Sequence, residues 1–493
     1  MDAQTVLEIK PALTRYLHEF DDCFGRCTTR RHLGTYVQGQ LGDLPRKSVE
    51  PIADAAGTPP RTLQEFLSLF RWDEAAVRAR LQQRVARRHG GPNSVGVIDE
   101  TSFIKKGDKT ACVQRQHCGA AGKIDNCVVS VHLGYATPDP RGFHTLLDGE
   151  LYLPEHTWHD HRHRCRAAGI PDEVVYRPKW RIALAQVRRA LSNGVRFAWL
   201  TFDEGYGGKP PFLRELEALG QNYVAEVPSN THVWTRAPAV LYRDHARDRK
   251  SGRPRKYPRL KVKNNPTAEV RHLLHHSPAM ARTPWQRYHV KDGTKGPMVW
   301  EAKRITVWCK DEHGLPSAPR HLLVTRPVLN PDDVKYFISN ASPQTTTETL
   351  LLVAFSRWKI ERLFQDTKDE LGMDHFEVRR WQSIHRHLLL SCVSHLFLAE
   401  FHQTHHSGGG GKKSGSDNQP GVHGDERPGT TLGVWRPLLA ETGGSDQRAN
   451  RDNTTAKRQS QQEPPKDNDQ EITRKRRLVE EREEMSLAQN IAL

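Results

Sequence analysis

Three carboxylates occupy positions suited to holding a divalent cation. Asp99 closes the run V-G-V-I-D, Asp203 closes F-A-W-L-T-F-D, and Glu361 lies in the helical stretch R-W-K-I-E-R-L-F. A run of β-branched and aromatic residues that ends in an acid reads as a buried strand delivering a carboxylate to the rim of a sheet. An Asp after a short strand also serves as a turn former or helix cap, so Asp99 needs partners before it carries chemistry. Between the two runs, residues 178–193 form an amphipathic pattern (Ile182, Leu184, Val187, Leu191) closed by Gly194. A strand, a crossover helix and a second strand make parallel neighbours in one sheet, so Asp203 is expected beside Asp99 at one sheet end. Clusters of oxygen ligands alone hold hard cations such as Mg²⁺. Two such ions about 3.5 to 4 Å apart clamp the attacking and leaving oxygens of a phosphodiester displacement.

The composition supplies a substrate for that chemistry. The 493 residues carry 74 Lys and Arg against 58 Asp and Glu, a net charge of +16, with an apolar content of 36%. The apolar share is below the roughly 45–50% of globular proteins, and the charge excess favours a polyanionic partner. The length suits two or three folding units. No run approaches the ~20 apolar residues of a membrane span, and Met1-Asp2-Ala3-Gln4 lacks the basic and apolar signal pattern, so a cytoplasmic protein that would face the nucleoid of a bacterium is expected, with no membrane partner. Eight dispersed cysteines suit reduced thiols. Cys23 and Cys27 are four apart but have no second Cys/His pair at finger spacing, and His156, His159, His161, His163 and Cys165 lie among Asp and Arg in a polar loop that reads as a solvated connection.

The elements that must position the acids follow in order. Residues 1–90 read as helical: Val6, Leu7, Ile9, Leu13, Leu17 and Phe20 recur near the 3.6 period, and residues 48–70 hold two short helices around A-G-T-P-P. That pair fits a helix-turn-helix and fits plain helical packing as well. A third helix, 72–89, ends in Arg84, Arg87, Arg88 and His89. Beyond the Asp99 strand, residues 127–135 and 146–153 are strand-like with short links, an antiparallel meander; 211–219 reads as a helix and 222–227 as a strand. Three strands, a helix, a strand, a helix and a strand is the order of a ribonuclease H-like core, an α/β class with a mixed sheet flanked by helices.

From 229 the pattern changes. Residues 243–263 carry ten Lys and Arg, among them Arg253, Arg255 and Lys256, with Tyr257 and two prolines, a composition suited to phosphate backbone or to a solvated loop. Strands at 299–308 and 320–325 make 229–345 a β-rich insertion. Residues 346–371 read as one long helix with Leu350, Val353, Ala354, Trp358, Leu363 and Phe364 facing the core and Ile360 at the edge of that stripe. Glu361 lies near the stripe, which is costly for a carboxylate without a partner, and Arg357 and Lys368 lie on adjoining turns. Residues 381–402 form a final apolar helix. The expected organisation is therefore a helical DNA-binding region (1–90), the catalytic core in two parts (91–228 and 346–404), the insertion (229–345) and a disordered tail (405–493) with a short helix at 472–487.

The fragments G-V-I-D-E-T (96–101), V-Q-R-Q-H-C-G-A-A-G-K (113–123), F-D-E-G-Y-G (202–207), Y-F-I-S-N-A (336–341) and R-W-K-I-E-R-L-F-Q-D-T-K-D-E-L-G (357–372) come in an order and spacing that resembles the DDE-type transposases of bacterial insertion sequences, over about residues 20 to 405. In the branch most resembled, a Tyr, Arg, Glu and Lys signature runs along the catalytic helix. Arg357, Glu361 and Lys368 fit it, while Ala354 stands at the Tyr position, a departure that leaves the metal-binding Glu in place and bears on one terminal-phosphate contact. The resemblance implies Asp99, Asp203 and Glu361 as catalytic metal ligands for two Mg²⁺ ions, with Mn²⁺ accepted in their place. It implies Arg357 and Lys368 on phosphates near the scissile bond, and a β-strand insertion between the second Asp and the Glu. The activity implied is cleavage of double-stranded DNA at the terminal inverted repeats of an element. Water is the first nucleophile and the freed 3′-hydroxyl the next, with strand transfer to target DNA by a homodimer. Relatives with such an insertion can pass through a DNA hairpin and hold an unstacked base on a Trp, for which Trp300 is the candidate here and Trp285 stands behind it. Two rivals remain. A catalytically inactive DNA-binding protein derived from a transposase sits badly with retention of all three acids, and a glycosidase with paired carboxylates is seldom this basic.

Overall fold

The computed structural model describes residues 3–137, 142–242, 257–293 and 296–406. The chain begins with helices α1 (Ala3–His18), α2 (Cys27–Leu41), α3 (Val49–Ala55), α4 (Pro60–Ser68) and α5 (Glu74–His89). Pro60 starts α4, where its missing N–H costs nothing, and Asp73 caps α5 by accepting the Ala76 N–H at 2.9 Å. Strands β1 (Val95–Ile104), β2 (Gln114–Cys118), β3 (Lys123–Ala136) and β4 (His144–Leu151) follow, then α6 (Arg162–Ala167), α7 (Lys179–Ser192), β5 (Trp199–Phe202), α8 (Glu204–Gly207), α9 (Pro210–Ala218) and β6 (Tyr223–Glu226). The next segment holds the two-residue strands β7 (His232–Val233), β8 (Val240–Leu241), β9 (Arg259–Leu260) and β10 (Ala268–Glu269), helices α10 (Val270–His276) and α11 (Pro278–Arg282), and strands β11 (Gln286–Gly293), β12 (Gly296–Val307), β13 (Arg320–Pro327) and β14 (Lys335–Ser339). Helices α12 (Thr347–Ser356), α13 (Trp358–Asp369) and α14 (Trp381–His406) complete the described chain.

Ten strands form one mixed sheet in the order β11-β12-β13-β14-β6-β5-β1-β3-β2, with β4 also on β3. Within it, β4-β3-β1-β5-β6 has the ribonuclease H-like arrangement, an antiparallel meander extended by two parallel strands. Strand β1 is central: antiparallel to β3 along its whole length and parallel to β5 only from Val95 to Ile98. This modifies the expected short strand ending at Asp99. The strand runs on to Ile104, and Asp99 is the first residue beyond its parallel neighbour.

The β-rich segment extends the same sheet, because β14 pairs antiparallel with β6 and carries β13, β12 and β11 outward. Strand β2, which the alternation did not reveal, is a short polar strand turned back onto β3. The expected single helix over 346–371 is two helices. Ser356 donates its hydroxyl to the Leu352 carbonyl at 2.7 Å, a back-bond that bends helices, and α12 stops there while α13 starts at Trp358. Arg357 occupies the joint.

Helix α13 lies directly on the sheet. A Cβ at Gly134 of β3 would come within 2.9 Å of Leu363 and 3.0 Å of Ile360, so the glycine permits the close approach. Helix α14 takes the N-terminal helices on one side and β4 on the other. Tyr36 and His387 hydrogen-bond at 2.9 Å, Gln40 donates to Ser391 at 2.9 Å, and Tyr16 donates to the Val393 carbonyl at 2.8 Å. The pair expected at 48–70 is present as α3 and α4, and α4 turns Leu63, Phe66 and Leu67 inward. Helices, sheet and the strands of the insertion contribute to one continuous hydrophobic core. The tail expected to be disordered lies, from residue 407 on, outside the described residues.

Candidate active site

Asp99 and Asp203 come from neighbouring strands at one end of the parallel pairing. Ile98 is the partner of Phe202, so the acids that follow them leave the sheet side by side. The Glu100 N–H donates to Asp99 Oδ1 at 2.8 Å, and Arg357 Nη1 lies 3.3 Å from Asp99 Oδ2. Asp203 caps α8: Oδ1 accepts the N–H groups of Gly205 at 3.0 Å and Tyr206 at 3.4 Å, which fixes the carboxylate. Burial and then the charge of Asp203 push the Asp99 carboxyl up to about 7, against the opposing pull of Arg357. Burial and then Glu100 raise Asp203 as well. Two half-buried acids side by side, each raised by burial and neighbouring negative charge, have a reason to bind a cation.

Glu361 completes the picture differently from expectation. It is not at a buried edge: its side chain is 60% exposed, in the first turn of α13, and Arg357 Nη2 donates to its Oε1 at 3.0 Å. One guanidinium, itself 15% exposed, therefore spans Asp99 and Glu361. Its Nε lies 3.7 Å from Glu226 Oε2 at the end of β6, and Lys335 donates to Glu226 Oε1 at 2.8 Å. Behind Asp203, Tyr206 donates to Glu100 Oε2 at 3.0 Å and Lys179 pairs with Glu100. Among the described residues no three acids, histidines or cysteines lie close enough together to enclose a metal ion. A divalent cation fits the chemistry of Asp99 and Asp203. Glu361 is held by Arg357 and stands apart from that pair.

The other expected site residues lie apart. Lys368 directs its ammonium toward the Ser102 carbonyl of β1 at 3.4 Å, three residues and about 10 Å along the strand from Asp99. Trp300 of β12 is a core residue, 5% exposed, with its ring centroid 4.6 Å from that of Phe355, so its faces are occupied by the protein and not open to a base. Trp285 is half-buried under Arg326, whose guanidinium lies 4.1 Å from the ring centroid. Arg253, Arg255 and Lys256 fall outside the described residues. The histidine-rich stretch forms a π turn over Glu155–His159 followed by α6, with His156 facing Asp160 at 3.3 Å and the Cys165 thiol buried against the Trp158 carbonyl at 3.0 Å.

Sequence reasoning missed Glu100, Lys179, Tyr206 and Glu226. Glu226 had a readable signal: Y-V-A-E is a third apolar strand ending in an acid, the pattern that marked Asp99 and Asp203.

Residues 19–297 match the family described as DDE superfamily endonuclease, a match that includes Asp99, Asp203 and Glu226 and ends before Glu361. The chain is also 32% identical over 210 residues to the probable transposase for insertion sequence element IS701 of Microchaete diplosiphon. That alignment covers 42% of this chain and 50% of the relative, so the chain spans about half the length of the curated relative it matches. The family match extends over more than half of the chain and agrees with the sheet order and with the two acids at its parallel end: the chain belongs to the DDE superfamily of endonucleases.

Proposed function

We propose that this endonuclease is a transposase that cuts double-stranded DNA at the terminal inverted repeats of an insertion sequence and joins the freed ends to target DNA. The observation that carries the reading is the pair Asp99 and Asp203, half-buried side by side at the end of adjacent parallel strands in a DDE-family chain. Asp99 and Asp203 would hold Mg²⁺, or Mn²⁺ in its place, with Glu361 joining them once Arg357 releases it. Bound there, divalent ions supply polarisation of the scissile phosphate and a more acidic attacking water. Arg357 would pass from carboxylates to a phosphate oxygen and neutralise backbone charge near the cut. Lys368 would serve the strand further along β1. The net charge of +16, with Arg253, Arg255 and Lys256 in its densest run, would hold the flanking duplex, and the N-terminal helices would add to that grip. A homodimer pairing two ends, working on the nucleoid in the cytoplasm, completes the reading.

The test uses labelled duplexes carrying the repeats that flank the coding region, purified full-length protein and Mg²⁺. Parent protein should nick the labelled ends, and Asp203→Asn should lose cleavage while keeping DNA binding; full cleavage by that variant overturns the assignment. Binding should weaken steeply with salt, since each neutralised phosphate adds about 0.9 to the slope of log K against log salt. A shallow slope would favour a hydrolase of an uncharged polymer.

A further inference from the structure

Arg357 meets three carboxylates, Asp99, Glu361 and Glu226, and they differ in one respect. Asp99 and Glu361 are the ones a divalent cation would claim under the reading above, on which this inference rests. Glu226 is not. It is 14% exposed, carried on a strand paired on both edges (Ala225 with Phe202, Glu226 itself with Phe337), and pinned by Lys335 at 2.8 Å. Its carboxylate therefore keeps its place whatever happens to Asp99 and Glu361. Arg357 sits at the joint between α12 and α13 with little of its side chain in solvent, so on losing two partners it needs a third to remain at the sheet end.

We propose that Glu226 is a positioning residue for Arg357: it retains the guanidinium at the sheet end when the cation takes Asp99 and Glu361, leaving Nη1 and Nη2 to face a DNA phosphate. Charge sets the direction of the effect. With Glu226 neutral, Arg357 leans harder on Asp99 and Glu361 and competes with the cation for them. With Glu226 charged, that competition is relieved. Glu226 thus raises cation affinity without touching the cation, and chiefly through Arg357.

The experiment is a calorimetric titration of Mn²⁺ into the full chain without DNA, run as a double-mutant cycle. Glu226→Gln is expected to weaken Mn²⁺ binding roughly five- to tenfold, and in an Arg357→Gln background the same change is expected to matter less than about twofold. Equal weakening in both backgrounds, or none in the first, overturns the inference. Thermal melting of each protein establishes folding, and should Glu226→Gln not fold, Glu226→Asp, which retracts the charge by one methylene, carries the same cycle with a smaller expected effect in the same direction. Asp99→Asn separates the two readings. Undiminished Mn²⁺ binding by that variant defeats the metal site itself. Lost binding there, combined with an effect of Glu226→Gln that ignores Arg357, defeats only the role given to Glu226.

Discussion

Arg84 of α5 and Glu400 of α14 meet in a buried two-point ion pair: Nε lies 3.1 and 2.9 Å from the two carboxylate oxygens and Nη2 lies 2.5 Å from Oε2. Glu19, just beyond α1, takes the remaining Nη1, and His89 Nε2 lies 3.1 Å from Glu400 Oε1. Against burial, which acts to raise it, the hydrogen bonds from His89 and Arg84 hold the Glu400 carboxyl below the usual range. The cluster ties the N-terminal helices to the helix that covers β4. Glu400→Gln leaves the buried guanidinium with Glu19 as its one remaining carboxylate and is expected to cost about 2 to 4 kcal/mol. The check is a lower urea midpoint with an unchanged slope, the signature of lost stability in one cooperative unit.

Helix α14 also buries histidines, and these set a pH limit. Burial lowers His387 to about 4 and His395 to about 3. In the unfolded chain each imidazole takes a proton near its ordinary value of 6.5. Between that value and the folded ones the unfolded state binds more protons, so stability falls as pH drops through this window and is flat, from these groups, above it. Each contributes on the order of 3 to 5 kcal/mol across the full window. Urea midpoints measured from pH 7.5 down to 4.5 should decline, and His395→Gln should flatten the decline; a midpoint independent of pH would show that these side chains are not buried as neutral groups.

Under the proposed function, Asp99 would set catalysis against stability. A half-buried carboxylate held near a second acid is unfavourable to the fold without a cation, so Asp99→Asn is expected to raise the stability of the metal-free protein by about 1 to 3 kcal/mol at pH 8 while ending DNA cleavage. Mg²⁺ should raise the melting temperature of the parent and leave that of the variant unmoved. A variant less stable than the parent would mean that Arg357 depends on Asp99 more than the acids repel each other.

Why some of this was readable and some was not follows from the range of the forces involved. Asp99, Asp203 and the crossover helix α7 were legible because alternation, capping and crossover handedness are local rules, and the family motifs confirmed their order. The interruption at Arg357 was not, since that residue keeps helical backbone angles (φ −55°, ψ −35°) and only the local hydrogen bonds change, in a helix whose propensities are otherwise continuous. Glu361 pairs with Arg357 as an i,i+4 helix neighbour, but that the same guanidinium also meets Asp99 and Glu226, residues more than a hundred positions away, is a tertiary fact no periodicity encodes. The extension of the sheet by β11 to β14 was hidden for the same reason: their strand character is local, while the pairing of β14 with β6 is not.

Trp300 gives the remaining prediction. A strand tryptophan and a base-holding tryptophan look alike in sequence, but Trp300 packs on Phe355, which in turn packs on Phe337 and Trp358 where α12 meets α13. Trp300→Ala opens a large cavity and is expected to cost about 3 to 5 kcal/mol. Lost cleavage in that variant would then reflect a loosened α12 and Arg357, not a missing base contact. Trp300→Phe fills most of the volume and should keep end cleavage at a temperature well below its melting point. Cleavage that fails in Trp300→Phe while the fold stays intact would restore the indole to direct work on DNA.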